Sequence, residues 1–194
     1  MRWPLGTVVG FSIECMPRRW YLKICGSDAF LIASYAVLAV AQTWIRIRVD
    51  LLGGHGAACD PAPGRIFLVG PSHSFEQFAE AINTAFARWD LGHLHEFELS
   101  DGRRIGYPDD SFGPELVCLD HVKLKVAKEV KPGEEFEYVF DLGDNWQHRC
   151  TVELKKGDPL EEYGIVPEQP VAIWGWGSIP DQYGRRSLDD DGAG

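Results

Sequence analysis

Apolar and polar residues alternate on both sides of one tight bend in "FEYVFDLGDNWQHRCTVEL" (136–154). Phe136, Tyr138 and Phe140 precede the bend; Trp146, His148, Cys150, Val152 and Leu154 follow it. A two-residue period marks a strand with one buried face, and the intervening Asp141, Gly143, Asp144 and Asn145 are residues that tight turns favour. The bend therefore reads first as a structural hairpin in which Asp141 and Asp144 bind backbone amides. A second reading takes the two aspartates as carboxylates close enough to split their pKa values into an acid and a base.

The same period recurs upstream. In "TWIRIRVDLL" (43–52), Ile45, Ile47, Val49 and Leu51 form the apolar face of a strand, and "RIFLVG" (65–70) is the matching hairpin partner across a Gly- and Pro-rich loop. His93, His95, Phe97 and Leu99 alternate with Leu94, Glu96 and Glu98, and Asp101-Gly102 turns the chain into "RRIGY". Val122, Leu124 and Val126 predict one more strand, so that 121–155 becomes a three-stranded antiparallel meander. Beyond Lys156 the periodicity is lost, and an ordered loop pinned by aromatic side chains is expected.

One segment departs from this period. In "HSFEQFAEAINTAFARW" (73–89), Phe75, Phe78, Ala79, Ile82, Ala85, Phe86 and Trp89 recur at three- and four-residue steps, which makes an amphipathic helix. Ser74 and Gln77 have the spacing of a capping box. Each bulky side chain on the stripe contributes ~1.5–3 kcal/mol if buried, so the helix must lie on the sheet. The fold class is α+β: a curved antiparallel sheet or partly open barrel with a packed amphipathic helix.

Charge narrows the partners. The formal net charge is −10 over 194 residues, and the densest basic run, Lys123, Lys125, Lys128 and Lys131, is interrupted by Glu129. Nucleic acid is thereby disfavoured, and a protein or small-molecule ligand is preferred. Five cysteines, odd in number and never spaced CxxC, fit reduced thiols in a cytoplasm.

Residues 1–42 read as an N-terminal extension, 43–190 as the main domain and 191–194 as the end of an acidic, solvated tail. The apolar run 29–41 is too short to span a bilayer, which takes ~20 apolar residues. Behind Arg18 and Arg19 it has the layout of a twin-arginine-like export signal, the alternative to a misassigned start that leaves the extension poorly ordered or loosely helical.

"HSFEQFAEAINTAFARWDLGHLHEFEL", "FEYVFDLGDNWQHRCTVE" and "IPDQYGR" occur in the order and spacing of the plasmid pRiA4b ORF-3-like proteins, which this chain resembles over residues 43–190. Phe140 and Leu142 stand where the hairpin motif of that family usually has tyrosine and phenylalanine. "IPDQYGR" replaces its usual "PPEDxGG". The resemblance implies an α+β fold and no established activity. Members have been labelled transposon resolvases, which implies an accessory role in mobile-element recombination. Neither the nucleophilic serine beside an arginine of serine recombinases nor the Arg–His–Arg set of tyrosine recombinases is visible here.

Two constellations remain. His93, His95 and His148, with Asp141 and Asp144, form a candidate polar pocket. Its histidines at i, i+2 on one strand face and on a neighbouring strand could hold a divalent metal and support a metal-assisted hydrolase. The plainer reading makes them half-buried histidines bonded to carbonyls or aspartates. Trp174, Trp176 and Tyr183 form a candidate recognition loop, or else plug the open end of the sheet. No complete catalytic set emerges, and a non-catalytic binding or interaction module is the expectation, with no obligatory cofactor.

Overall fold

The computed structural model describes residues 12–16, 19–23, 44–108 and 118–185. The chain divides into two units, Met1–Val40 and Ala41–Gly194. In the first, β1 (Ser12–Met16) and β2 (Arg19–Lys23) pair antiparallel with Met16 opposite Arg19. These residues are strand rather than loose helix. The apolar run 29–41 and the acidic tail lie outside the described residues, and among those described no helix is long and apolar enough to cross a membrane.

The second unit is built on a nine-stranded open sheet: β3 (Ile45–Gly54), β4 (Ala57–Ala58), β5 (Gly64–Val69), β6 (His95–Glu98), β7 (Arg104–Gly106), β8 (Leu119–Asp120), β9 (Glu135–Phe140), β10 (Trp146–Val152) and β11 (Val171–Trp176). Strand order is β11-β5-β3-β10-β9-β6-β7-β8, with β4 paired to β3. The sheet is not wholly antiparallel, since β7 and β8 run parallel. Among the described residues three short helices complete the α+β fold: α1 (Phe75–Ala85), α2 (Val126–Glu129) and α3 (Pro159–Tyr163).

Alternation translates directly into burial. Ile45, Ile47, Val49 and Leu51 on β3 are buried, as are Phe136, Tyr138 and Phe140 on β9 and Trp146, His148, Cys150 and Val152 on β10. β3 and β5 pair with Ile45 opposite Val69. Trp146 faces Phe140 across the five-residue bend of the β9–β10 hairpin. Ser74 caps α1 through the Gln77 amide, and the Gln77 side chain accepts in return from the Ser74 N–H. Rings of Phe75 and Phe78 meet Phe97 of β6 at 5.0 and 5.9 Å, and Phe78 meets Phe67 of β5 at 5.5 Å.

Three expectations are corrected. α1 ends at Ala85, and Ala87 adopts φ +53°, so Trp89 leaves the apolar stripe and lies beneath the Arg185 guanidinium. The segment 121–130 does not extend the hairpin into a meander. The carbonyls of His121 and Leu124 accept from the N–H groups of Glu76 and Phe75, which the first helical turn leaves without an internal acceptor. The chain then closes into α2, and β9 pairs with β6 instead. Beyond Lys156 the chain is looped only in part, since one short helix and one strand interrupt it. Asp158 caps α3, Gly164 ends it in a left-handed conformation, and β11 joins the sheet edge with Trp174 opposite Ile66.

Candidate functional site

The bend between β9 and β10 is held by Asp141. Its φ of +56° turns the chain, and its Oδ1 accepts from the N–H groups of Gly143 (3.0 Å) and Asp144 (3.3 Å). That is the local turn bonding expected of an aspartate here. The other oxygen, Oδ2, is 3.2 Å from His93 Nδ1. Asp141 thus shapes the hairpin with one oxygen and reaches into a polar cluster with the other.

His93 lies in the turn that precedes β6. Its Nε2 is 2.8 Å from the Tyr183 hydroxyl and 3.3 Å from Asp90 Oδ2, and the Tyr183 O–H donates to the same Asp90 oxygen at 3.0 Å. Burial, followed by the Asp90 carboxylate, pushes the Tyr183 phenol up to about 12. Gln182 brings these two distant segments together. It is fully buried; its Oε1 accepts from the N–H groups of Trp89 and Asp90, and its Nε2 donates to the Asp90 carbonyl. The glutamine in "IPDQYGR" is therefore a brace, while Asp181 beside it pairs with Arg185 at 2.9 Å, which holds its carboxyl down at about 2.

Asp144 extends the site. Its carboxylate lies 3.1 Å from His55 Nδ1, and its carbonyl accepts from the His55 N–H. The His55 ring is 6.4 Å from Tyr183. An open cavity of about 400 Å³ lies between the two strand ends, lined by Gly53, Gly54, Gly143, Asp144, Asn145 and Gln147 among others. Glycine is required at its wall: a Cβ on Gly54 would sit 2.3 Å from the Trp146 ring.

The three histidines do not form one ligand set. β6 begins at His95, so the alternation that was to align His93 with it has not started. His95 turns to the other side of the cluster. Its Nε2 is 2.9 Å from His121 Nδ1, beside Tyr107, and burial followed by His121 pushes it down to about 4. His148 stands opposite Tyr138, which stands opposite Phe97, so the Tyr138 ring separates the two strand histidines at 5.9 and 5.3 Å. His148 donates from Nδ1 to the Tyr138 carbonyl, and burial pushes it down to about 3. Among the described residues no group of three or more His, Cys, Asp or Glu side chains is arranged to hold a metal ion. The metal set His93, His95, His148 is corrected on that geometry.

Trp174, Trp176 and Tyr183 also separate. The two tryptophans lie on edge strand β11, Trp174 exposed and Trp176 beneath Arg48 with its indole N–H on the Ala62 carbonyl. Tyr183 belongs to the cluster around His93. The structure thus joins His93, Asp141, Asp144 and Tyr183, and adds Asp90, His55 and Gln182. Of these additions, only "GGHG" around His55 carried a local sign, a histidine exposed on a glycine turn.

Residues 45–180 match the model of the family described as plasmid pRiA4b ORF-3-like protein. The uncharacterised protein y4hQ of Sinorhizobium fredii is 32% identical over 96 residues, covering 45% of this chain and 49% of that protein. The chain thus spans about half the length of this curated relative. A crystal structure of a protein of unknown function, MM3350 from Methanosarcina mazei Go1, superposes with a TM-score of 0.54 at 24% identity, covering 69% of this chain and 70% of that one. That likeness shows a shared fold.

Proposed function

The chain belongs to the plasmid pRiA4b ORF-3-like protein family, and we propose that it is a non-catalytic binding module for a small, positively charged molecule. One observation carries the reading. Asp144 lines the cavity and pairs with His55, next to a cluster in which Asp90 and Asp141 bracket His93. One carboxylate at the opening, Asp144, with Asp90 and Asp141 in the adjoining cluster around His93, favours an amine or a guanidine, and the net charge of −10 steers such a ligand inward while repelling a phosphate backbone. Asn145 and Gln147 supply amide groups for orientation. Tyr183, raised to about 12, stays protonated at neutral pH and supports a role as donor rather than as base.

The test is a titration of the purified protein with spermidine and agmatine, with succinate as the opposite charge, followed in amide ¹H–¹⁵N spectra. The amines should move resonances within 53–58 and 143–147 in a saturable way, and Asp144→Asn should weaken them roughly tenfold, as loss of a charge-assisted hydrogen bond does. Succinate binding as well as the amines, or amines that leave both segments unmoved, would overturn the reading.

A further inference from the structure

Behind the bend, three buried polar side chains each retain one atom without a hydrogen-bond partner: Arg88 Nη1, Trp146 Nε1 and His148 Nε2. All three residues are more than nine-tenths buried. They belong together in space. Trp146 and His148 share one face of β10, two residues apart, and the Arg88 guanidinium lies over the Trp146 ring with Cζ 4.0 Å from its centroid. Phe86 closes against His148 at 4.9 Å.

Arg88 is fixed by its other nitrogens. Nε donates to the Phe86 carbonyl and Nη2 to the Pro180 carbonyl, which leaves Nη1 free. Neither carbonyl carries a full charge. Asp181, the carboxylate whose field reaches Arg88, is engaged by Arg185. The indole face offsets part of the buried positive charge and no more than part. A buried guanidinium with no carboxylate bonded to it, and with its nearby Asp181 already held by Arg185, is costly, so this position calls for an anion.

The remaining atoms define which anion. Arg88 Nη1 and Trp146 Nε1 can only donate. His148 gives its Nδ1 proton to the Tyr138 carbonyl, so Nε2 can only accept. Two donors and one acceptor complement an oxyanion that still carries one hydroxyl: its charged oxygen receives from Arg88 and Trp146, and its O–H donates to His148. We propose that Arg88, Trp146 and His148 form a buried receptor for a small, singly protonated oxyanion of the bicarbonate class. A single water would satisfy the same three atoms and leave the guanidinium charge uncompensated. The site lies behind the wall that the Trp146 ring forms against Gly54, uses none of the carboxylates of the cation-binding reading, and stands or falls independently of it.

The experiment is thermal unfolding of the full chain after exchange into CO₂-depleted HEPES–chloride buffer, with bicarbonate, formate and nitrate titrated at constant ionic strength. Bicarbonate should raise the midpoint saturably, by about 5–10 °C at a hundredfold excess over its dissociation constant. Formate and nitrate lack the hydroxyl and should need roughly tenfold more. Arg88→Met should abolish the shift, and Trp146→Phe should weaken it roughly two- to tenfold. Exchange broadening of ¹³C-bicarbonate by the wild-type protein, reversed by excess unlabelled bicarbonate, supplies a readout that needs no variant. A wild-type protein that gives neither a saturable shift nor broadening overturns the proposal. So do equal responses to all three anions, or an unchanged response in Trp146→Phe.

Discussion

Tyr138→Phe isolates one polar contact between α1 and the sheet. Tyr138 is fully buried on β9, and its hydroxyl donates to Asn83 Oδ1 on α1 at 2.9 Å. The substitution removes a single oxygen and keeps the ring, which lies 4.5 Å from Phe97 and 5.3 Å from His148. Burial raises the phenol well above its ordinary value, so it is a donor across the whole accessible pH range. Its loss strands the Asn83 carbonyl, 6% exposed, in an apolar setting. Leaving such an acceptor unpaired costs about 1–3 kcal/mol, against ~0.5–1.5 kcal/mol for the net hydrogen bond itself. A loss of about 1–3 kcal/mol is therefore expected, or roughly 3–10 °C in the unfolding midpoint for a domain of this size.

Urea unfolding followed by tryptophan fluorescence and far-ultraviolet dichroism measures it. Asn83→Leu and the double variant close a cycle whose coupling should be ~0.5–1.5 kcal/mol. Because Asn83→Leu leaves no stranded acceptor, the double variant should regain part of the stability lost in Tyr138→Phe. A change below about 0.5 kcal/mol in Tyr138→Phe, or a coupling near zero, refutes the idea that this hydroxyl ties the helix to β9.

Two further outcomes follow from the same structure. Ser74→Ala removes the acceptor for the Gln77 N–H and should cost about 1 kcal/mol in the same urea assay, whereas Ser74→Asn should retain most of the stability. Acidification should destabilise the fold well above the carboxylate range. His95 and His148 are pushed down to about 4 and about 3, so below the ordinary value of ~6.5 the unfolded chain takes up their protons first. Each contributes a stability slope approaching ~1.4 kcal/mol per pH unit as pH falls from about 6.5 toward its folded value. Stability that stays level between pH 7 and pH 5 would contradict their neutral burial.

Residues whose neighbours are decided within a few positions of chain were legible. β3 with β5, β9 with β10 and the capped start of α1 all follow from periods of two or 3.6 and from turn chemistry at adjacent residues. The segment 121–130 was not. Val122, Leu124 and Val126 have the same period as a true strand, yet the Glu76 and Phe75 amides needed acceptors and took the His121 and Leu124 carbonyls. A backbone hydrogen-bond demand set by a helix some 45 residues away overrode a local pattern that was otherwise correct. β11 was hidden for the opposite reason: as an edge strand it buries little, so its residues carry no alternation to read.

The site divides along the same line. Asp141, Asp144, His93 and His148 were recognisable as chemistry-bearing side chains, but what each does depends on register and on contacts across long stretches of chain. Tyr138, placed opposite both Phe97 and His148, keeps the two strand histidines apart and leaves each neutral and buried. His93, released from the strand, finds its partners in Asp141 and in Tyr183, 90 residues on, and that meeting depends on Gln182 bracing the Trp89–Asp90 backbone. If the bracing is what assembles the cluster, Gln182→Leu should free Tyr183 and His93 from each other while the β9–β10 hairpin, held locally by Asp141, keeps its turn. The candidate site is thus two structures superposed: a hairpin written in adjacent residues, and a polar cluster imposed on it by the C-terminal segment.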